Sequence, residues 1–572
     1  WLMDGGWFAE YKDLLGLQLL HASAAAWTFY HSVESEVPSS LEAWQMSRQV
    51  DHELPHFTIQ GPRVPAGNYT ISTTNWMPYA WSVNNVVLAE SAHTALSLWQ
   101  AGRTEAAYPL LKGALLDSMY LGICPGNVGM ATWFDVNRRE SQRDFGDGVG
   151  MLSRTVVEGV FGILPDLLAG EVRLKPGFPA DWDNAKMQHP DFDFAFTRDG
   201  ETDRYVLQSR FSRSVRVRLQ VPARRDDIAA VTVNGQTALW RAVPDGVGRP
   251  LIEIAAPPTA ETAVSITWRG SPLASAPAEV VLAPGAMLKA DVGAQITELA
   301  DPQGVLHSAT FAGRTLQGTV VGTMGHRTLF ARVSQGKVAW WQPLSLHVRE
   351  DRAPTPHVFV TDWSKPVPPG VKLEPVVVAS QFNDQVARIF SNEYLSPRSP
   401  FVSLGVPKHG FGYWTGPAAK FSVDDSGLRS AAAKNGGRIA LPNGVPLVTS
   451  GEADAPNVAF VSQWDNFPRE VSIPLSGRAS KIYLLMAGST WAMQSRVQNG
   501  ELVVAYTDGS TTRLALENPT TWWPIDQDYF VDDFAFRRSG GYPVRVDLKT
   551  GKIRVLDLAS CQTGRRTVAG GS

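Results

Sequence analysis

The stretch Val215-Arg-Val-Arg-Leu-Gln-Val221 alternates apolar and polar side chains without interruption. A period of two puts the apolar residues on one face of a β-strand and the polar residues on the other. The same period is present in Tyr205-Val-Leu-Gln208 and in Val231-Thr-Val-Asn-Gly235, with Gly and Pro turns between the runs. The sequence therefore predicts antiparallel β-sheet beyond Gly170.

Toward the C-terminus, the short strands fall into three predicted β units. A β-sandwich is expected over 171–270, and the stretch 271–277, rich in Pro and Ala, predicts a linker after it. A small β domain is expected over 277–350, ending near a polar run. A third all-β unit is expected over 371–568, before a polar, Gly-rich tail.

Toward the N-terminus, the apolar period becomes that of a helix. One broad apolar stripe consists of Val83, Val86, Val87, Leu88, Ala92, Ala95, Leu96 and Trp99. Ser82 is suited to cap the start of this helix and Gly102 to end it, and a second helix is expected over 104–122. Further helices are predicted over 10–20, 41–53 and 149–164. Helical hairpins are thus expected over 1–170, and the predicted fold class is multidomain α + β.

Composition excludes some classes of function. The chain has 572 residues, with 52 Lys and Arg against 55 Asp and Glu and a formal net charge of −3. So balanced a charge offers no electrostatic surface for nucleic acid. No apolar run reaches the ~20 residues of a membrane-spanning helix, so membrane insertion is not expected. The 19 Trp are abundant, and their flat amphipathic rings suit sugar faces as well as cores.

Two short patterns have the spacing of a metal or phosphate site but not its local geometry. His52-Glu-Leu-Pro-His56 matches H-E-x-x-H, which needs both His on one face of an unbroken helix. Pro55 removes a backbone donor and moves Leu54 out of helical geometry, so no zinc site is expected there. Gly146-x-Gly-x-Gly150 follows no strand and precedes no Lys, so it predicts a turn that starts a helix.

Aromatic rings and amides are concentrated in Asn75-Trp-Met-Pro-Tyr-Ala-Trp-Ser-Val-Asn-Asn85. Sugar recognition uses this mixture, because rings stack on sugars and amides hydrogen-bond hydroxyl groups. The alternative is a buried aromatic start of a helix. The residues proposed to bind substrate here are Trp76, Tyr79, Trp81, Asn84 and Asn85.

Charged residues are concentrated in the predicted loop between Gly122 and Gly150. It contains Thr132-Trp-Phe-Asp135 and Arg138-Arg-Glu-Ser-Gln-Arg-Asp-Phe-Gly-Asp147. Three arginines and four carboxylates so close together form either a structural ion-pair network or the lining of a polar cleft. In a cleft, neighbouring charges separate the pKa values of carboxyl groups, as acid/base catalysis requires.

Three segments resemble the end of the catalytic domain of the six-hairpin glycosidases, of which the α-L-rhamnosidases are the best known. They are Ser141-Gln-Arg-Asp-Phe-Gly-Asp-Gly-Val-Gly150, Pro165-Asp-Leu-Leu-Ala-Gly170 and Arg173-Leu-Lys-Pro-Gly-Phe-Pro-Ala-Asp-Trp182. The closer likeness, over most of the chain, is to uncharacterised bacterial members of that superfamily. The resemblance implies an (α/α)6 toroid, a secreted or periplasmic glycan-processing protein, and acid/base carboxylates in loops at one toroid end.

The region 1–170 is expected to hold only part of such a toroid. Its predicted helices are about half of those that six hairpins require, and the chain begins at Trp1 with neither an initiator Met nor a signal peptide. We therefore expect a mature or truncated fragment, which need not be active by itself. The chain also departs from the rhamnosidases, which commonly have Trp-Glu where Trp133-Phe-Asp135 stands and His where Arg143-Asp144 stands.

The C-terminal unit looks like a jelly-roll accessory module of the kind attached to glycosidases. The likeness rests on Lys481-Ile-Tyr-Leu-Leu-Met-Ala-Gly-Ser-Thr-Trp491, Val503-Val-Ala-Tyr-Thr-Asp-Gly509 and Asn518-Pro-Thr-Thr-Trp-Trp-Pro-Ile-Asp-Gln-Asp-Tyr529, which suggest a strand, a hairpin and an aromatic loop. Trp522, Trp523 and Tyr529 are expected either to stack on sugar or to pack against the toroid.

The resulting functional hypothesis is hydrolysis of O-glycosidic bonds in a plant or microbial glycan by a carboxylic acid and a carboxylate base, without metal or cofactor. The candidate catalytic residues are Asp4, Glu10, Asp135, Glu140, Asp144 and Asp147. Asp135 is the first choice for the base, and Trp133 and Arg143 are added to the proposed sugar pocket. The alternatives are a polysaccharide lyase that uses Asn84, Tyr79 and Arg143, and a non-catalytic glycan-binding fragment.

Overall fold

The computed structural model describes residues 2–12, 20–22, 25–75, 85–121, 131–135, 141–143, 146–349, 366–389, 423–462, 467–486, 498–517, 521–523, 525 and 544–555. They fall into two compact units. The first unit takes the described residues of Trp1–Ala9, Ala24–Asn75 and Trp81–Ala353. The second takes those of Glu10–Ser23 and Pro354–Ser572.

Five α-helices lie among the described residues of the first unit. They are α1 Ala26–Glu34, α2 Ser40–His52, α3 Leu88–Gln100, α4 Thr104–Leu115 and α5 Gly146–Arg154. Ser39 and Glu42 form a capping box at the start of α2, where each side chain accepts from the backbone N–H of the other. Gly102 has φ +81°, which ends α3 and lets α4 begin two residues later, so α3 and α4 form the predicted hairpin. None of the described helices is long and apolar enough to cross a membrane.

Two helices end in π-helical turns, over Leu116–Tyr120 after α4 and Thr155–Val160 after α5. Short strands are interspersed with the helices. They are β1 Tyr11–Lys12, β2 Leu20–His21, β3 His56–Thr58, β4 Tyr69–Ile71, β5 Asn85–Val87, β6 Ala131–Asp135 and β7 Ser141–Arg143. The pairs β1–β2 and β3–β4 are antiparallel, and β5, β6 and β7 form one three-stranded sheet.

The structure corrects several predicted boundaries in this region. A continuous helix over 10–20 is wrong, because both ends of that range are strands that pair with each other. The helix predicted to start after Ser82 starts at Leu88, because β5 pairs with β6 and takes Val86 and Val87 into a sheet. The predicted loop between Gly122 and Gly150 contains β6 and β7.

The helix predicted over 149–164 also differs, since it begins at Gly146 and its last, π-helical turn ends at Val160. Gly162 has φ +64°, which breaks the helix, and the next residue starts a strand. The described helices are fewer than those of a six-hairpin toroid. The (α/α)6 arrangement therefore stays a proposal.

Beyond residue 162 the first unit consists of strands, as the period of two predicts. The strands up to residue 272 are β8 Ile163–Asp166, β9 Glu171–Leu174, β10 Asn184–His189, β11 Phe192–Asp199, β12 Thr202–Ser209, β13 Val215–Pro222, β14 Arg225–Val233, β15 Gln236–Thr237, β16 Arg241–Ala242, β17 Leu251–Thr259 and β18 Glu261–Pro272. They form two sheets, with strand orders β10-β11-β12-β18-β14-β15 and β16-β17-β13-β9-β8.

The alternation in Val215-Arg-Val-Arg-Leu-Gln-Val221 is confirmed in β13. Its apolar members are no more than 1% exposed, whereas Arg216 between them is exposed. Ile254 of the adjacent strand β17 belongs to the same core, as do Phe194 and Ile266 of the other sheet. Burial of one face of each sheet supplies the hydrophobic free energy that fixes strand register.

Two further sheets occupy residues 280–348. Their strands are β19 Val280–Leu282, β20 Met287–Asp291, β21 Gln295–Ala300, β22 Leu306–Ala312, β23 Thr315–Val320, β24 Gly325–Gln335 and β25 Val338–Val348. The strand orders are β19-β25-β24-β21 and β20-β23-β22, and β24 pairs with β25 over its whole length. The helices and these four sheets belong to one compact unit, so the division into domains at 170, 270 and 350 stays a prediction.

The second unit shows short elements in its described residues. Besides β1, β2 and short 3-10 helices at Ala379–Gln381 and Val386–Arg388, they are α6 Ser426–Lys434, β26 Arg438–Ala440, β27 Pro446–Val448, β28 Gln498–Ala505, β29 Thr511–Glu517, β30 Val544–Val546 and β31 Ile553–Val555. The strands β26 to β31 form three antiparallel pairs, β26–β27, β28–β29 and β30–β31. The predicted Thr-Asp-Gly hairpin is the β28–β29 turn, with Gly509 at φ +86°. The jelly-roll over 371–568 stays a proposal.

Two predictions in this unit need correction. Residues 481–486 are described and contain no strand. Trp522 and Trp523 are only 8% and 5% exposed, so their rings are not free to stack on a sugar from solvent. Both side chains are buried, and the Arg545 guanidinium lies over the Trp523 ring, 5.9 Å from the ring centroid. Tyr529 lies outside the described residues.

Candidate functional site

Titratable side chains of three helices meet at one place in the first unit. Tyr30 and Glu34 lie one turn apart on α1, and Glu90 and His93 share a face of α3. Arg154 comes from the end of α5. These five residues are called the helix-junction cluster below.

A chain of contacts connects the members of the helix-junction cluster. The imidazole of His93 stacks on the Tyr30 ring with centroids 4.5 Å apart and planes 14° from parallel. His93 Nδ1 lies 2.5 Å from Glu34 Oε1. A carboxylate only accepts, so Nδ1 carries the proton of this hydrogen bond. The guanidinium of Arg154 pairs with the other Glu34 oxygen and, through Nε at 3.0 Å, with Glu158.

The two glutamates of the cluster have different environments. Burial alone would raise the pKa of Glu34, but hydrogen bonds and positive charge from His93 and Arg154 outweigh it and lower the pKa. Glu34 is therefore held as a carboxylate. Glu90 is 9% exposed and accepts a hydrogen bond from the Tyr30 hydroxyl.

Tyr30 is a neutral hydrogen-bond donor in this setting. Burial raises its pKa far above the usual value, and the charges of Glu90, Glu34 and Asp147 raise it further. Asp147, a predicted catalytic residue, is thus close enough to act on the cluster. It is exposed in the first turn of α5, where its Oδ1 accepts from the N–H of Gly148.

Four other predicted residues lie on the three-stranded sheet. Asn85 of β5 is the direct partner of Asp135 in β6, and Val87 is the partner of Trp133. Arg143 of β7 is the partner of Ala131. Strand β5 runs directly into α3, so this sheet leads to the helix that contributes Glu90 and His93.

Two predicted catalytic residues have other surroundings. The Asp4 carbonyl accepts a hydrogen bond from Gln303, and the charge of Asp4 acts on Arg327, so it is associated with the sheets of residues 280–348. Glu10 belongs to the second unit, where its N–H donates to the His21 carbonyl. The predicted residues outside the described part of the chain are Trp76, Tyr79, Trp81, Asn84, Glu140 and Asp144.

Sequence reasoning missed the helix-junction cluster itself. Its members are spread over three helices and have no fixed spacing that would form a motif. One local signal was present, because Glu90 is an acidic residue in the apolar first turns of α3, where Leu88, Ala89 and Ala92 are buried. A charged residue in such a stripe is almost never fully buried unless it is paired.

Comparisons with known proteins give little further guidance. No family model and no curated protein match the sequence. Among solved structures, an α-L-rhamnosidase from Dictyoglumus thermophilum is 8% identical, with a TM-score of 0.22, over 32% of this chain and 21% of that one. A γ-CGTase from alkalophilic Bacillus clarkii is 10% identical, with a TM-score of 0.12, over 28% of this chain and 25% of that one. Both likenesses are distant and local, and each spans a quarter or less of the matched structure.

Proposed function

We propose that the protein acts on glycans, and that it hydrolyses O-glycosidic bonds with a pair of carboxyl groups. The observation that carries the proposal is the helix-junction cluster, in which the buried Glu90 lies at the start of the helix that continues directly from the sheet bearing Asp135. Acid/base hydrolysis requires carboxyl groups whose protonation differs at one pH. The proposal includes a secreted or periplasmic location.

Glu34 is not the proton donor in this scheme, because His93 and Arg154 stabilise its ionised form. Its role is to orient His93 and, through ring stacking, Tyr30. Glu90 is the proposed acid that protonates the leaving oxygen, on the grounds of its position: its side chain is buried in the first turn of α3 and is oriented by the Tyr30 hydroxyl. Asp135 stays the proposed base that activates water.

The sheet residues complete the proposed substrate site. Asn85, Trp133 and Arg143 belong to strands of the same sheet as Asp135 and are proposed to contact the sugar, together with Trp76, Tyr79, Trp81 and Asn84. Rings supply stacking area and amides supply hydrogen bonds to hydroxyl groups.

A lyase would instead need a side chain that removes a proton beside a sugar carboxylate. Tyr30 is unsuited to that role, because its raised pKa keeps the hydroxyl protonated at neutral pH. The lyase alternative therefore depends on Asn84, Tyr79 and Arg143, and the reaction product distinguishes it from hydrolysis.

The test is a panel of plant and microbial polysaccharides incubated with the protein, followed by reducing-end release and by absorbance of a new C=C bond. Reducing ends without absorbance are expected for hydrolysis. Glu90→Gln should lower the release rate by about 10²-fold or more, and Tyr30→Phe by less. Glu105→Gln, an exposed glutamate outside the cluster, is the control.

Absorbance of a double bond would identify a lyase instead. Binding to a polysaccharide without any product would identify a non-catalytic binding protein. Release that is unchanged in a folded Glu90→Gln variant would remove Glu90 from the proposed machinery.

A further inference from the structure

The spacing of His52-Glu-Leu-Pro-His56 suggests that His52 and His56 act together, but in the structure His52 contacts His326 instead. Helix α2 ends at His52, and Pro55 is followed by strand β3. His56 directs Nδ1 to the Leu54 carbonyl at 2.9 Å. The two histidines therefore do not share a helical face. His52 instead meets side chains from the sheets of residues 280–348.

Three potential metal ligands converge there. Nitrogen atoms of His52 and His326 and a carboxylate oxygen of Glu279 all lie within 4.8 Å of one another. Glu279 Oε1 is 3.2 Å from His326 Nδ1 and 3.9 Å from His52 Nε2. Ligand atoms of one tetrahedral Zn²⁺ are ~3.3 Å apart, given metal–ligand bonds of ~2.0–2.1 Å. The His326–Glu279 edge is already at this length, the His52–Glu279 edge must shorten by about 0.6 Å, and the edge between the two imidazole nitrogens by at most about 1.5 Å.

A cationic group already occupies the space between two of these ligands. Arg48 Nη2 lies 2.8 Å from His52 Nε2 and 3.5 Å from Glu279 Oε1. The imidazole lone pair and the carboxylate thus face a positive charge. Arg48 also pairs with Asp51, so its guanidinium keeps an anionic partner when it leaves the other two.

Both imidazoles are partly exposed, His52 at 18% and His326 at 26% of the side chain. His52 and His326 stack with centroids 3.4 Å apart and planes 3° from parallel, and His347 stacks on the other side of His326 at 4.1 Å. Because the lone pair of an imidazole lies in its ring plane, binding of one ion requires these two parallel rings to turn relative to each other. The Glu279 side chain is 33% exposed, so an ion can approach from solvent.

We propose that His52, Glu279 and His326 bind a divalent transition-metal ion such as Zn²⁺, with water in the fourth position. Two imidazoles and one carboxylate suit an ion of borderline softness and not Mg²⁺ or Ca²⁺, which prefer oxygen ligands. The ion would tie the end of α2 to β24. The proposed site is independent of the proposed glycan hydrolysis.

The test uses protein without a histidine tag, titrated with Co²⁺ and followed by visible absorption, and then with Zn²⁺ against a chromogenic chelator. One equivalent of tightly bound ion and a tetrahedral Co²⁺ spectrum are expected. His326→Ala should weaken affinity on the order of 10²-fold, and Glu279→Gln should also weaken it. His56→Ala is the matched control and should bind as the unchanged protein does.

Arg48→Gln should change the affinity for Zn²⁺ in the opposite direction. Because it removes a competing cation, affinity for Zn²⁺ should rise. Circular dichroism of each variant checks that the fold is retained. The proposal is overturned if no stoichiometric binding occurs, if folded His326→Ala binds as well as the unchanged protein, or if His56→Ala loses the ion.

Discussion

Asn85 and Asp135 lie directly opposite each other in the antiparallel pair β5–β6. This relationship joins the end of the segment rich in aromatic rings and amides to the segment rich in charged residues, which are far apart in sequence. Residues proposed on separate grounds for sugar binding and for catalysis thus meet in one sheet, and that sheet leads into α3.

Asp135→Asn should reduce turnover on a responsive glycan by about 10²-fold or more with little change in melting temperature. The reason is that an amide cannot accept the proton of the attacking water. Asp199→Asn, at an exposed strand end, serves as the control. A folded Asp135→Asn variant with unchanged turnover would show that another residue is the base.

Trp81→Ala should weaken glycan binding by about 1 to 3 kcal/mol while the fold is retained, and the same holds for Trp76→Ala. Loss of a stacked ring removes contact area with the sugar. Calorimetric titration with an oligosaccharide measures the effect beside the thermal unfolding of each variant. If the variants unfold and folded material binds normally, the rings are part of the core.

Ionisation of Glu34 should make the free energy of unfolding depend on pH in the acid range. Its folded-state pKa is lowered from 4.5, so its contribution is full above the ordinary glutamate value and is lost as the pH falls through the lowered value. Denaturant unfolding between pH 6 and pH 2 should therefore show a smaller loss of stability in Glu34→Gln than in the unchanged protein. Glu298→Gln, on the exposed face of β21, should leave the pH profile as it is. Equal slopes for both variants would contradict the role given to His93 and Arg154.

Gly159→Ala should destabilise the first unit by about 1 to 3 kcal/mol. An added Cβ would lie 2.5 Å from the Trp99 ring, which is 5% exposed and held by a hydrogen bond from its Nε1 to the Gly177 carbonyl. Gly150→Ala is the matched control. Gly150 lies in α5, which continues into the turn that contains Gly159, and an added Cβ at Gly150 has no neighbour within 4 Å. In chemical denaturation, the free energy of unfolding of Gly150→Ala should equal that of the unchanged protein or be slightly higher. A Gly159→Ala variant of full stability would mean that Trp99 can move aside.

Asp203→Ala should destabilise the protein by about 3 kcal/mol. The Asp203 side chain is 2% exposed and accepts from Arg198 Nε at 2.8 Å and from the buried Trp268 Nε1 at 2.9 Å. Its removal leaves the indole donor without this acceptor inside the core. Asp199→Ala, in the same hairpin but exposed, should change the unfolding free energy by less than about 0.5 kcal/mol. A similar loss of unfolding free energy in both variants would show that any substitution in this hairpin is destabilising, and that the buried carboxylate has no special role.

The sequence by itself determined the elements whose signal is local. The alternation in β13, the helix over Ser40–His52, the end of α3 at Gly102 and the Gly509 turn each depend on neighbouring residues only. Apolar period and positive φ act over a few residues, so they can be recognised without knowledge of the fold.

Tertiary structure decided which of two compatible local states formed and which distant side chains met. Val86 and Val87 fit a helical stripe, but hydrogen bonds from β6 made them a strand. Glu90 met Tyr30, and His52 met His326 instead of His56. These contacts depend on the packing of elements far apart in the chain, and their free energy comes from burial and hydrogen bonding that no local period encodes.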